Sequence, residues 1–151
     1  MRVKLAEALV LRADLKKRLE QLKARLQRNA KVQEGEAPAE DPNELLSQFD
    51  SAASEFTALI ARINLINATA PLDGGTLTDA LAQRDVLRLR QAAYRDLAQA
   101  ATVTQSVQTR SEVRFRSTVS VAQIQKEADE LAKQLRELDM RIQEANWRIE
   151  L

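Results

Sequence analysis

Apolar residues recur at alternating steps of three and four along most of this 151-residue chain, and that rhythm restricts its fold more than any other feature. The longest run is Ile124, Ala128, Leu131, Leu135, Leu138, Ile142, Ala145 and Ile149. A second runs Leu45, Phe49, Ala52, Phe56, Leu59, Ile63 and Ile66, and a third runs Leu5, Ala8, Leu15, Leu19, Leu22 and Leu26. A helix turns once in about 3.6 residues, so this spacing draws the apolar side chains into one narrow stripe. A stripe of that kind is stable only when another apolar surface covers it.

Punctuation between the runs sets the boundaries. QEGEAPAEDP, with Gly35, Pro38 and Pro42, ends the first helix near 32–35. Asp41-Pro42-Asn43-Glu44 offers an acceptor at the N-cap, Pro at N1 and Glu at N3, a capping-box order. NATAPLDGG stops the second helix, and a Thr in TLTD opens the third. Ser120, three residues before Gln123, opens the fourth. Helices are therefore expected at about 2–31, 42–68, 77–102 and 120–151, in a single helical domain over 1–151. The expected class is all-α: an antiparallel four-helix bundle built from coiled-coil-like hairpins, with a small β-like excursion between helices 3 and 4.

The third helix is the least regular. Leu81, Val86, Leu87, Leu89, Tyr94 and Leu97 mark its apolar side, interrupted by Arg84, Asp85, Arg88 and Arg90. Charge supports pairing of the first two helices. Residues 1–33 hold ten Lys/Arg against three Asp/Glu, and residues 34–55 hold seven acids and no base. Exposed pairs contribute only about 0–1 kcal/mol each, so charge selects the partner while Leu and Ile supply most of the stability.

Composition narrows the chemistry. Aromatics are 3% of the residues, so the core must be aliphatic, and 3 Gly with 3 Pro leave few tight turns for a many-stranded fold. The chain has no Cys and no His. That removes thiolate chemistry, the commonest general base and the nitrogen ligands of a di-metal bundle site. Ser120 with Lys126 is the nearest approach to a Ser–Lys pair, but Ser120 already serves as a cap. Neither a phosphate-binding glycine loop nor an EF-hand spacing occurs. We expect no enzyme activity, no catalytic or metal-ligating residue and no cofactor. No apolar run approaches 18 residues, and the N-terminus lacks the h-region of a signal peptide, so a cytoplasmic protein without a membrane partner is expected.

Two sets of residues stand out. The 3-4 phase places Arg12 and Asn29 on the first seam. A seam charge needs a partner or a route to water, and Asp85 or a carboxylate near the C-terminus could supply the first. Arg12, Asn29, Arg84 and Asp85 are therefore the candidates for an inter-helix polar network. The second set lies in RSEVRFRSTVSV, where Val113, Phe115, Val119 and Val121 alternate as in a strand. A hairpin over 103–119 would put Val103 and Val107 in one arm and Val113 and Phe115 in the other, with a turn near 108–111. An isolated hairpin is marginal in water. It must pack on its own chain or on another copy, so Val113, Phe115 and Val119 are the candidate oligomer contacts. An irregular connection is the alternative.

Several stretches resemble a known group. KLAEAL at 4–9, RADLKKRL at 12–19, RNAKVQEGE at 28–36, TLTDAL at 76–81 and RSEV at 110–113 are similar to a bacterial family of short uncharacterised proteins, some labelled septicolysin. The likeness covers essentially the whole chain, and RNAKVQEGE is its most specific piece. It implies a helical fold without an established activity. An Asn often follows the Thr that ends helix 2 in that family, whereas Thr69 is followed here by Ala70. The label implies a cytolysin, yet the sequence has neither a spanning helix nor the long alternating segments of a membrane barrel.

The expected function is a non-enzymatic, homo-oligomeric structural or interaction protein. One alternative is a helical bundle binding a small ligand or ion. Another is weak nucleic-acid binding through the basic first helix, disfavoured by near-neutral charge and by the lack of interleaved aromatics.

Overall fold

A computed structural model of the chain describes residues 2–103 and 113–151. Among them are four helices, α1 (Leu5–Arg28), α2 (Pro42–Thr69), α3 (Leu77–Ala101) and α4 (Val121–Arg148), and two short strands, β1 (Pro71–Leu72) and β2 (Gly75–Thr76). The chain divides into two compact units. One comprises residues 1–71 with 144–151, and the other residues 72–143.

In the first unit, α1 and α2 form an antiparallel hairpin. Leu22, Leu45 and Ala52 are buried together, with Leu15, Leu19, Leu26 and Phe49 packed against them. These are the residues the 3-4 spacing selects. Each fully buried Leu or Ile side chain contributes about 1.5–3 kcal/mol of transfer free energy. Asp41 caps α2 by accepting from the Asn43 N–H at 3.0 Å, and Pro42 occupies N1. The return bond from Glu44 is not formed, so Asp41 acts alone.

Both ends of α1 depart from expectation. The helix stops at Arg28 rather than near 31, where Asn29 closes it with its N–H on Arg25 O and Leu26 O. Gly35 is not at the helix end. It sits in a separate turn closed by Glu36 N–H on Gln33 O at 3.0 Å, with φ +88, a conformation that favours glycine. At the other end, the first unpaired N–H of α1 is satisfied by the chain's last residues. Leu5 N–H donates to Ile149 O at 2.8 Å, Leu151 N–H donates to Val3 O at 2.8 Å, and Lys4 and Glu150 form an antiparallel bridge. Hence α4 ends at Arg148 rather than running to 151, since 149–151 are extended alongside 3–5.

The second unit holds α3 and α4 as far as Gln143. At its start, β1 and β2 pair through the two-residue turn Asp73-Gly74, both with positive φ (50 and 80). Asp-Gly is the residue pair that tolerates two left-handed positions and closes a two-residue hairpin. This tiny sheet lies where the sequence marks only the stop of the second helix, and it leads directly into the α3 cap. Thr76 Oγ1 accepts from Asp79 N–H at 3.3 Å, while Thr76 N–H donates to Asp79 Oδ2 at 2.8 Å. Gly75 fits because a Cβ there would lie 2.7 Å from that carboxylate oxygen. Ser120 caps α4 as expected, accepting from Gln123 N–H at 3.3 Å.

The inward face of α3 differs from its largest apolar residues. Leu77, Ala80 and Ala98 are buried and Arg84, Leu87, Gln91 and Tyr94 half-buried, on a 3-4 spacing. Val86, Leu89 and Leu97, assigned inward by sequence, are exposed. The long stems of Arg84 and Gln91 occupy seam positions that a reading based on apolar residues passes over.

Candidate functional site

The four polar candidates separate by unit. In the first, Asn29 is buried and organises the end of α1. Its Nδ2 donates to Arg25 O at 2.9 Å, and its Oδ1 accepts from Glu40 N–H at 3.0 Å. Glu40 in turn takes a forked pair from Arg25, with Nε to Oε2 at 3.0 Å and Nη2 to Oε1. That hydrogen bond holds the Glu40 carboxyl below its ordinary value against a smaller opposing effect of burial. Here the charge contrast between helix 1 and the acidic segment becomes one specific contact. Arg12, by contrast, is exposed, and no ion pair joins it to the described residues of its unit. It reaches water instead of a buried partner.

In the second unit, Arg84 Nη1 pairs with Asp139 Oδ1 at 3.2 Å. Only 19% of the Arg84 side chain is exposed, and its Nε is buried with no hydrogen-bond partner among the described residues. Asp85, offered as a seam partner, instead lies beside Arg88 at 3.9 Å on the exposed side of α3. Arg141 Nε reaches Asp73 Oδ2 at 2.8 Å, anchoring the hairpin turn to α4. Asp139 was missed because it flanks the α4 seam rather than lying on it. Its neighbour Leu138, a seam residue, was the signal that could have raised it.

The candidate contact segment lies partly outside the described residues. Val107 and the expected turn at 108–111 fall there, so the hairpin expectation does too. Residues 113–117 belong to neither a helix nor a strand. Phe115 is 77% exposed and Val113 66%. Val119 is half-buried, in a local turn where Ser117 Oγ donates to Val119 O at 2.6 Å. Leu97 and Val103 are also exposed and share an open groove of about 400 Å³ with Phe115, Arg116, Ala100 and Ala101. Leu97 and Val103 were not among the named contact candidates, although Val103 had a place in the expected hairpin arm. The excess of apolar residues near the end of helix 3 was the available clue.

Chemically this surface offers apolar contact, the guanidinium of Arg116 and the hydroxyls of Thr102, Ser117 and Thr118. Among the described residues no group of three or more acids is placed to hold a metal ion. No helix among them is long and apolar enough to cross a membrane.

Comparison with known proteins places this geometry in a family. The model of DUF6847, described as a family of unknown function, matches residues 12–151. A crystal structure of a functionally unknown conserved protein from Corynebacterium diphtheriae is similar over 100% of this chain and 99% of that one, with 39% identity and a TM-score of 0.91. Among curated proteins nothing matches.

Proposed function

We propose that this chain, which belongs to the DUF6847 family of unknown function, is a non-enzymatic structural or interaction protein that associates with copies of itself. The carrying observation is the groove at the end of α3, where Phe115 stands 77% exposed beside the exposed Leu97 and Val103. A ring this uncovered loses a favourable transfer free energy that association recovers. The antiparallel four-helix bundle of coiled-coil-like hairpins and the cytoplasmic location are part of the same proposal. The α1–α2 hairpin, whose 3-4 seams meet face to face, supports the former. A cytolytic role, which the septicolysin label would suggest, is not part of it.

Light scattering on the full chain tests this reading. A mass above the 17.0 kDa of one chain, falling toward that value in Phe115→Ser, is the expected result. A wild-type mass of one chain at every concentration would overturn self-association, and an unchanged assembly in Phe115→Ser would remove this groove from it.

A further inference from the structure

Between the buried ends of the α1–α2 hairpin both helices are only partly covered, with Leu15, Leu19, Phe56 and Leu59 half-buried. No α1 residue between Ala8 and Leu22 is buried, and no α2 residue between Ala52 and Ile63. An open groove of about 530 Å³ lies there. Its α1 wall is Leu11, Asp14, Leu15 and Arg18, and its α2 wall is Glu55, Ala58, Leu59 and Arg62. Each wall follows the same i, i+3, i+4, i+7 spacing, so each is one helical stripe. The four charges are exposed, and none forms an ion pair with the described residues of its unit.

The order of charges along the walls is informative. Asp14 and Arg18 stand symmetrically about Lys16, which does not line the groove, and Leu15 is the groove residue between them. Glu55 and Arg62 stand symmetrically about Ala58 and Leu59. On both walls, therefore, an acid and a base flank an apolar centre. A two-fold axis lying across the hairpin, in the plane of its face, reverses each helix against its own mate. An axis crossing α1 at position 16 and α2 between Ala58 and Leu59 would set Asp14 against a second copy's Arg18 and Glu55 against a second copy's Arg62, with Leu15, Ala58 and Leu59 of the two copies between them. Isologous dimers need this self-complementarity, and antiparallel helix pairs stacked in this way form a four-helix layer.

We infer that the α1–α2 face, centred on Leu15 and Ala58–Leu59, docks a second copy of this chain about a two-fold axis, with Asp14–Arg18 and Glu55–Arg62 pairing between copies. The inference rests on the self-association reading but names a face remote in sequence from Phe115.

The chain contains no Cys, so an engineered thiol reports one position without background. Ala58→Cys lies within one residue of its own mate across the axis, whereas Asn64→Cys lies on the opposite side of α2. A short bismaleimide should link Ala58→Cys chains into covalent dimers and leave Asn64→Cys chains mostly single. Charge then tests the register. Arg18→Glu should weaken the dimer by roughly tenfold, by placing like charges together at two symmetric points. The double variant D14R/R18E restores opposite charges across the axis and should return the dissociation constant to within about threefold of wild type. An oligomeric wild type in which Ala58→Cys cross-links no better than Asn64→Cys would sink this face while leaving self-association intact, and would point to the groove at Phe115. A double variant as weak as Arg18→Glu would also overturn it, because the charges would then meet something other than each other. A wild type that remains one chain would end both readings.

Discussion

Arg12 and Arg84 occupy comparable places in their helices, each in a 3-4 run whose neighbours face inward, yet they meet opposite fates. Arg12 lies in the stretch of α1 where nothing between Ala8 and Leu22 is buried, and it is exposed. Arg84 lies between the buried Ala80 and the half-buried Leu87, keeps 19% of its side chain exposed, and finds Asp139 across α4. The same residue type at the same phase is thus a solvated charge in one helix and a covered ion pair in the other. What differs is the cover. A seam position guarantees direction along the helix face, but burial requires a second surface at the same level.

The largest effect should come from breaking the covered pair on its acidic side. Asp139→Ala leaves Arg84 mostly buried with neither Asp139 nor a partner for Nε among the described residues, and should destabilise the protein by about 1–3 kcal/mol. Arg84→Met keeps the volume, removes the buried charge and leaves a part-exposed Asp139. It should cost less than about 1 kcal/mol. Urea unfolding of the two variants compares them directly. If Arg84→Met proved the more damaging, the pair would be stabilising the fold in its own right, and burial would not be what distinguishes Arg84 from Arg12.

An intermediate case is Arg25, half-buried and paired with Glu40 through Nε and Nη2. Because Arg25 holds the Glu40 carboxyl below its ordinary 4.5, folding favours the ionised form. The resulting stabilisation is complete above the unfolded pKa and is lost as pH falls through the lower folded one. The stability difference between wild type and Glu40→Gln should therefore be full at neutral pH and shrink on acidification below about 4.5. Unfolding followed at a series of pH values checks the sign. A gap that widened in acid would mean that Arg25 does not hold the carboxylate.

The smallest effect is expected at Arg12. Its replacement by Ala should change stability by no more than about 0.5 kcal/mol. A larger loss would show that Arg12 has cover in the folded protein and would erase the contrast with Arg84.

Much of the local structure was legible. Caps at Asp41, Thr76 and Ser120 use side chains two or three residues from the N–H they bind, so the sequence carries both partners side by side. The seams of α1, α2 and α4 were legible for the same reason, since period is a local property. The inward face of α3 was not, because Arg84 and Gln91 fill it with the apolar stems of polar residues. Of the candidate contacts, Phe115 and Val113 are exposed as a contact residue must be, while Val119 is drawn into the Ser117 turn. Leu97 and Val103 joined the groove only through the path of the chain beyond α3.

By itself, then, the sequence determined that there would be four long helices, where all but the first would begin, and which faces of three of them would turn inward. Helix period and capping act over a few residues and need no knowledge of the rest of the chain. The tertiary structure decided which charges are covered, that Asp139 rather than Asp85 engages a seam arginine, and that residues 149–151 close the start of α1. Those outcomes join groups that lie tens to well over a hundred residues apart. Their energies depend on distance and on access of water, which chain folding sets and spacing along the sequence does not.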